Sequence, residues 1–152
     1  MKFDEIDFIS LEKHETKDIA DGHQNGVLTV IWRDWDKIIE KDPKMIYTSL
    51  VHPNETKGPH LHHLRTSYFV CISGKVVFVI KDKKGNFHEI ESSEENPTLI
   101  QIPKGIPAAH INISNHDSIV LTIADVAWRP NDNEMENVSF DNYDWFKWEI
   151  KG

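Results

Sequence analysis

Lys57, His60, His62, His63 and Arg65 lie within nine consecutive positions, and three of the chain's nine histidines crowd into four of those positions. An imidazole with a pKa of about 6.5 can take and give a proton near neutral pH, and its neutral form is a common metal ligand. If the segment is extended, the period-two geometry of a strand turns His60 and His62 to one face and His63 to the other. Two chemistries follow. The pair could transfer protons, or it could supply two ligands to a metal. Lys57 and Arg65 would suit an anionic ligand such as a diphosphate, and a wider basic cluster would add Lys104 and Arg129.

Such a pair needs a rigid frame, and the flanking sequence predicts strands. Apolar, β-branched or aromatic runs occur at 27–32, 45–51, 66–72, 75–81, 87–91, 98–102 and 119–124, punctuated by Gly, Pro, Asn and Asp. Ser73 and Gly74 read as the loop of a hairpin between two of these runs, and residues 83–86 as a second tight turn. Only 35–41, with Trp35, Ile38 and Ile39 spaced for one side of a helix, predicts a helical turn or two. The fold class is therefore all-β, a sandwich or barrel with little helix. His110 and Asn112 would share one face of a later strand and could line the same pocket. From about residue 129 the chain becomes acidic and aromatic. Phe140, Tyr143, Trp145, Phe146 and Trp148 are expected to pack over the barrel or against a second subunit.

With 152 residues, no repeat and no linker, a single domain over 1–152 is expected. A hydrophobic content of 39% with 28% charged residues fits a globular chain and not a disordered one. No apolar run approaches the ~20 residues needed to span a bilayer. Residues 1–5 lack the apolar core of a secretory signal, so a cytoplasmic location without membrane contact is expected. Cys71, the only cysteine, sits in an apolar run. It leaves no internal disulfide or multi-cysteine zinc site and fits a reducing compartment. A net charge of −8 argues against nucleic acid as a partner but leaves a small phosphorylated ligand open.

Gly58, His60, His62 and Gly74, followed by Pro103 and Gly105, resemble the two motifs of the cupin superfamily. The resemblance implies a double-stranded β-helix, a jelly-roll barrel. Two positions depart from the pattern. Ser67 stands where the metal-binding glutamate would be, and Ala108 where the second-motif histidine would be, with His110 two residues further on. A full metal set of three histidines and a glutamate is therefore incomplete. The chain is more similar to the metal-free nucleotide-sugar epimerase and ketoisomerase group. The Arg-x-x-His segment of dTDP-4-dehydrorhamnose 3,5-epimerases corresponds to Lys57 through His60. The Arg-Gly-x-His-x-His segment of dTDP-4-keto-6-deoxyglucose 3,4-ketoisomerases, the closer match, corresponds to Lys57 through His62, with lysine for arginine. The turn at Asp21 and Gly22, leading to Leu28, also resembles the start of these enzymes.

In that group a 4-keto group acidifies the hydrogen on carbon 3. A base removes it, and the proton returns to the opposite face or to the neighbouring carbon. The resemblance implies His60 as primary base, and His62 as a second acid/base or as a polariser of the keto oxygen. Lys57, Arg65, His110, Asn112 and Arg129 are the candidate substrate-binding residues. It implies no cofactor, a dTDP-linked sugar as substrate, and a place in surface polysaccharide or glycoconjugate synthesis. It also implies a homodimer built through an amino-terminal strand, for which Phe3, Ile6, Phe8 and Ile9 offer an apolar face. The epimerase's tyrosine proton donor aligns near Leu121, which favours ketone migration or single-site epimerisation. Its histidine-orienting carboxylate falls in the region of Asp141 or Asp144. Two other readings stay open: a metal-dependent small-molecule cupin using His60, His62 and His110, and a sugar-binding cupin without catalysis.

Overall fold

The computed structural model describes residues 2, 3 and 6–150. Two antiparallel sheets dominate it. One contains, in order, β1 (Lys2–Phe3), β2 (Ile6–Ser10), β10 (Thr98–Ile102), β7 (Ser67–Ser73), β12 (Ser118–Ala124) and β5 (Met45–Val51). The other contains β13 (Met135–Asn137), β6 (Thr56–His62), β11 (Ala108–Asn112), β8 (Lys75–Lys81) and β9 (Phe87–Ser93). A separate hairpin joins β3 (Lys13–Lys17) to β4 (Gln24–Thr29). The architecture is the cupin-type jelly-roll. The helical content of the described residues is a 3-10 turn, Trp145–Trp148, capped by Asp144, and no helix there is long and apolar enough to cross a membrane.

Alternation along each strand builds three apolar layers. Between the sheets lie Ile6, Val51, Cys71, Val76, Phe78, Ile80, Ile100, Ile106 and Val120, all at most 2% exposed. Burying side chains of this size stabilises by roughly 1.5–3 kcal/mol each. Outside the first sheet, Tyr68, Val70, Leu99 and Ile123 are covered by Ile38 and Ile39. Outside the second, Val77, Val79 and Ile111 are covered by the tail residues Phe140, Tyr143, Trp145 and Trp148.

Three local expectations are corrected. Ser73 and Gly74 do not close a hairpin, because β7 and β8 belong to different sheets. The chain turns a corner there at Gly74 (φ +83°), where a Cβ would stand 2.1 Å from Ser118 Oγ. Residues 35–41 form turns instead of a helix; Ile38 and Ile39 are buried while Trp35 is 69% exposed under the Arg33 guanidinium. The strand expected at 27–32 runs instead over Gln24–Thr29, paired with β3. Strand β2 pairs with β10, and Ile6 is fully buried in the core with Phe8 packed beside it. Ile9 is 39% exposed, and the side chain of Phe3 lies outside the described residues.

Candidate active site

The two sheets enclose a cavity of about 180 Å³. The second sheet contributes Lys57, His60 and His62 from β6, Phe78 from β8 and His110 from β11. The first contributes Tyr47 and Ser49 from β5 and Ser67 and Phe69 from β7. Arg65 and Pro103 complete one side. Regular alternation would send Lys57 and His60, three residues apart, to opposite faces. A bulge prevents this: β11 pairs Ala108 with His60 but His110 with Lys57, so β6 carries one extra residue. Gly58 sits in the bulge at φ +94°, and a Cβ there would lie 3.0 Å from the Ala108 carbonyl oxygen. Only glycine suits that combination of conformation and clearance.

The orientation of the histidines comes from the far end of the chain. Strand β13 runs beside β6, pairing Met135 with His62 and Asn137 with His60. His60 Nδ1 donates to Asn137 Oδ1 at 2.9 Å, and His62 Nδ1 donates to Glu134 Oε2 at 2.7 Å. With Nδ1 carrying the hydrogen on both rings, Nε2 is the nitrogen left to accept a proton. Glu134 is 3% exposed, and its other oxygen accepts from the backbone amides of Leu64 (3.3 Å) and Arg65 (2.9 Å). Burial opposes its ionisation, but the His62 bond and these amides hold its carboxyl below the usual range. His60 is pushed below the ordinary imidazole value by burial, with His62 and Lys57 adding to that, and against the bond to Asn137.

His110 is 7% exposed, with Phe78 at 5.0 Å and Phe69 at 6.3 Å between ring centroids. Burial first, then Lys57 and His60, lowers its pKa to about 4, so it is neutral at pH 7. Its Nε2 and the Ser67 Oγ are buried without a hydrogen-bond partner. Arg65 is 6% exposed; Nε donates to the Val126 carbonyl at 3.0 Å, which fixes the guanidinium against the cavity. Among the described residues no carboxylate lines the cavity, so an acidic chain presents there a wall with two cations.

Lys57, His60, His62, Arg65 and His110 are thus brought together. Asn112 is not. It is fully buried, and its side chain bonds the carbonyls of Val51 and His116 and accepts from Ser114 and Ser118, which ties a loop instead of facing the cavity. Arg129 is exposed beyond β12, outside the cavity, as is Lys104. His63 points away, 3.6 Å from Glu136. Asp141 accepts from Ser139 and Asp144 caps the 3-10 turn, so the orienting carboxylate is Glu134. Leu121 lies on the outer face of its sheet, packed against the layer that covers it. Sequence reasoning missed Glu134, Asn137 and Tyr47. Only Tyr47 carried a signal, the alternation that points it inward with Ser49 and Val51. His60, His62 and His110 do not bring three ring nitrogens within 4.8 Å of one another. The described residues that bring three potential ligand atoms this close, two carboxylate oxygens and one ring nitrogen, are Asp18, Asp21 and His23, at the β3–β4 turn.

The sequence profile described as "WxcM-like, C-terminal" (FdtA) matches residues 6–145. A UDP-2-acetamido-2,6-beta-L-arabino-hexul-4-ose reductase of Pseudomonas aeruginosa is 30% identical over 71 residues, which are 46% of this chain and 19% of the reductase. The chain therefore spans only a small part of that curated relative. A dTDP sugar isomerase of Desulfovibrio desulfuricans G20 superposes with a TM-score of 0.81 at 19% identity, covering 93% of this chain and 91% of that one. A dTDP-6-deoxy-D-glucose-3,5-epimerase of Legionella pneumophila, solved with dTDP-4-keto-L-rhamnose, gives 0.75 at 15% identity, covering 92% and 76%. At these identities the likeness is one of fold.

Proposed function

From the premise that the chain belongs to the WxcM-like, C-terminal (FdtA) family, we propose that it isomerises or epimerises a nucleotide-linked 4-keto-6-deoxy sugar by histidine-mediated proton transfer. The observation that carries this reading is the pair His60 and His62 on one cavity wall, each tied at Nδ1 by a β13-side residue and left open at Nε2. A base placed this way removes the hydrogen on carbon 3, whose acidity comes from the adjacent ketone, and leaves an enolate. Lys57 and Arg65 receive the diphosphate, and the apolar floor of Phe69, Phe78 and Ile106 receives the deoxy end of the sugar. Tyr47 faces the histidines from the other sheet, and its hydroxyl bonds no described residue. It is placed to return a proton from the far side. We read the nucleotide as dTDP, the protein as a cytoplasmic homodimer, and the pathway as surface polysaccharide or glycoconjugate synthesis.

The test is incubation with dTDP-4-keto-6-deoxyglucose in deuterium oxide, followed by mass spectrometry and proton NMR of the sugar. Deuterium at carbon 3 or 4 together with a new keto-sugar isomer is expected. A sugar recovered without deuterium, although bound by the protein, would mean a binding protein and overturn the reading.

A further inference from the structure

The cavity is too small to hold all of a nucleotide-linked sugar. Its volume is about 180 Å³, short of the roughly 300–1,000 Å³ of sites that bury a drug-sized ligand. A sugar on a nucleoside diphosphate is no smaller than such a ligand. With the sugar inside and the diphosphate on Lys57 and Arg65, the nucleoside lies outside, against the rim to which Arg65 belongs. The segment there is the strap between β12 and β13, residues 125–134. Side chains of the cavity tie both its ends. Arg65 Nε donates to the Val126 carbonyl at 3.0 Å, and Glu134 accepts from His62 Nδ1 at 2.7 Å. Between these ties Asp132 closes a turn, its carboxylate accepting from the amides of Arg129 (3.1 Å) and Glu134 (3.3 Å). Those two amides, and then the Arg65 charge, hold the Asp132 carboxyl below its usual range.

Trp128 stands on this strap two residues past Val126, at most about 7 Å of extended backbone away. Its amide donates to Met45 Sδ at 3.5 Å, at the start of the strand that carries Tyr47 into the cavity. The backbone is thus held on both sides. The indole is 63% exposed and makes no hydrogen bond or ring contact with a described residue. Two more exposed apolar side chains flank the same rim: Leu64, next to Arg65, and Met135, paired with His62. The other well-exposed rings lie elsewhere. Trp35 is covered on one face by the Arg33 guanidinium, and Phe146 sits on the 3-10 turn outside the second sheet. We propose that Trp128 is the platform on which the nucleobase of the substrate stacks, outside the cavity on the strap that joins β12 to β13. This rests on the functional reading above and adds to it the position of the nucleoside. Every base presents a flat π-face to an aromatic ring, and the phosphates bring the charge that Arg65 and Lys57 match. Asp125 and Asp132 on the strap disfavour an anion there, and a neutral base adds none.

Isothermal titration calorimetry with two probes, dTDP and inorganic pyrophosphate, isolates the stack. Trp128→Ala is expected to weaken dTDP about 5–150-fold, the loss of one base–aromatic stack, and to leave pyrophosphate within about twofold of wild type. Trp128→Phe keeps a ring and is expected to recover most of the dTDP affinity. In turnover of dTDP-4-keto-6-deoxyglucose the loss should fall on KM more than on kcat, because the base is remote from the reacting carbon. Binding of dTDP by Trp128→Ala at wild-type affinity would overturn the proposal. So would equal weakening of dTDP and pyrophosphate, or a sedimentation shift accompanying the loss, since either makes the Trp128 patch a fold or subunit contact. Circular dichroism checks that the variant folds, and Trp128→Gln, equally without a ring, replaces it if it does not. A wild-type protein that neither binds dTDP nor turns over the keto sugar defeats the functional reading itself. Wild-type turnover beside an unaffected Trp128→Ala defeats only the position of the base.

Discussion

Lowering the pH from 7.5 to 5.0 should destabilise this protein through one buried ring, that of His110. Its folded-state pKa is depressed to about 4, against about 6.5 in an unfolded chain. Between those values the unfolded state binds the proton and the folded state does not, so stability falls as the pH falls. The contribution is fully present above pH 6.5 and is used up as the pH drops toward 4. At pH 5.0 the ratio of the two binding polynomials is about 30, which corresponds to a loss of about 2 kcal/mol from this group alone. At pH 7.5 the loss is below about 0.1 kcal/mol. The chain has eight other histidines, so the quantity to measure is the difference between wild type and His110→Phe. Phenylalanine fits beside Phe78 and Phe69 and removes the unpartnered Nε2. Urea unfolding followed by tryptophan fluorescence at both pH values yields the four free energies. With an m-value near 2 kcal/mol/M, the wild-type midpoint should fall about 1 M further than the variant's. Equal falls in the two proteins would mean that the ring is not held neutral by its surroundings, and the desolvation argument would be wrong.

Two further outcomes follow from particular contacts. Gly74→Ala places a Cβ against Ser118 in a left-handed conformation. It should cost about 2–4 kcal/mol and lower Tm by roughly 5–15 °C in calorimetry; an unchanged Tm would show that the corner can relax. Tyr47→Phe should leave deuterium entry at carbon 3 within about tenfold but slow product formation about 10²-fold, seen by NMR, if the phenol returns the proton. Equal slowing of both steps would instead make Tyr47 a binding contact.

Much of the frame is readable from residue types alone. Met45–Val51 and Thr98–Ile102 appear where their β-branched runs and bounding prolines put them. The hairpin expectation at Ser73 and Gly74 fails because a left-handed glycine suits a sheet corner as well as a two-residue turn. Which one forms is decided by strands far away in sequence, β10 and β12 for β7, and β11 and β9 for β8. Strand β3, Lys13-His14-Glu15-Thr16-Lys17, shows no apolar alternation because no core lies behind it; four of its five residues are exposed. The spacing of Trp35, Ile38 and Ile39 imitates a helix, but a segment of one or two turns is too short to be helical without packing to support it. Two of those side chains instead drop side by side onto the sheet. In the site, His60 and His62 were legible from spacing. Glu134 was not, because one acidic residue in an acidic tail looks like surface until β13 is laid beside β6.

The bond between His60 and Asn137 joins residues 77 positions apart, and that between His62 and Glu134 residues 72 apart. On a ribosome adding about 5–20 residues per second, the histidines emerge roughly 4–15 s before the residues that aim them. Most of both sheets can pair in that interval, since β5 through β12 are already made. A nascent barrel would therefore have its pocket and its two rings, but with the imidazoles free to turn and Glu134 not yet in place. The two rings are thus aimed only after the strands around them are made, by a three-residue strand and the glutamate just before it.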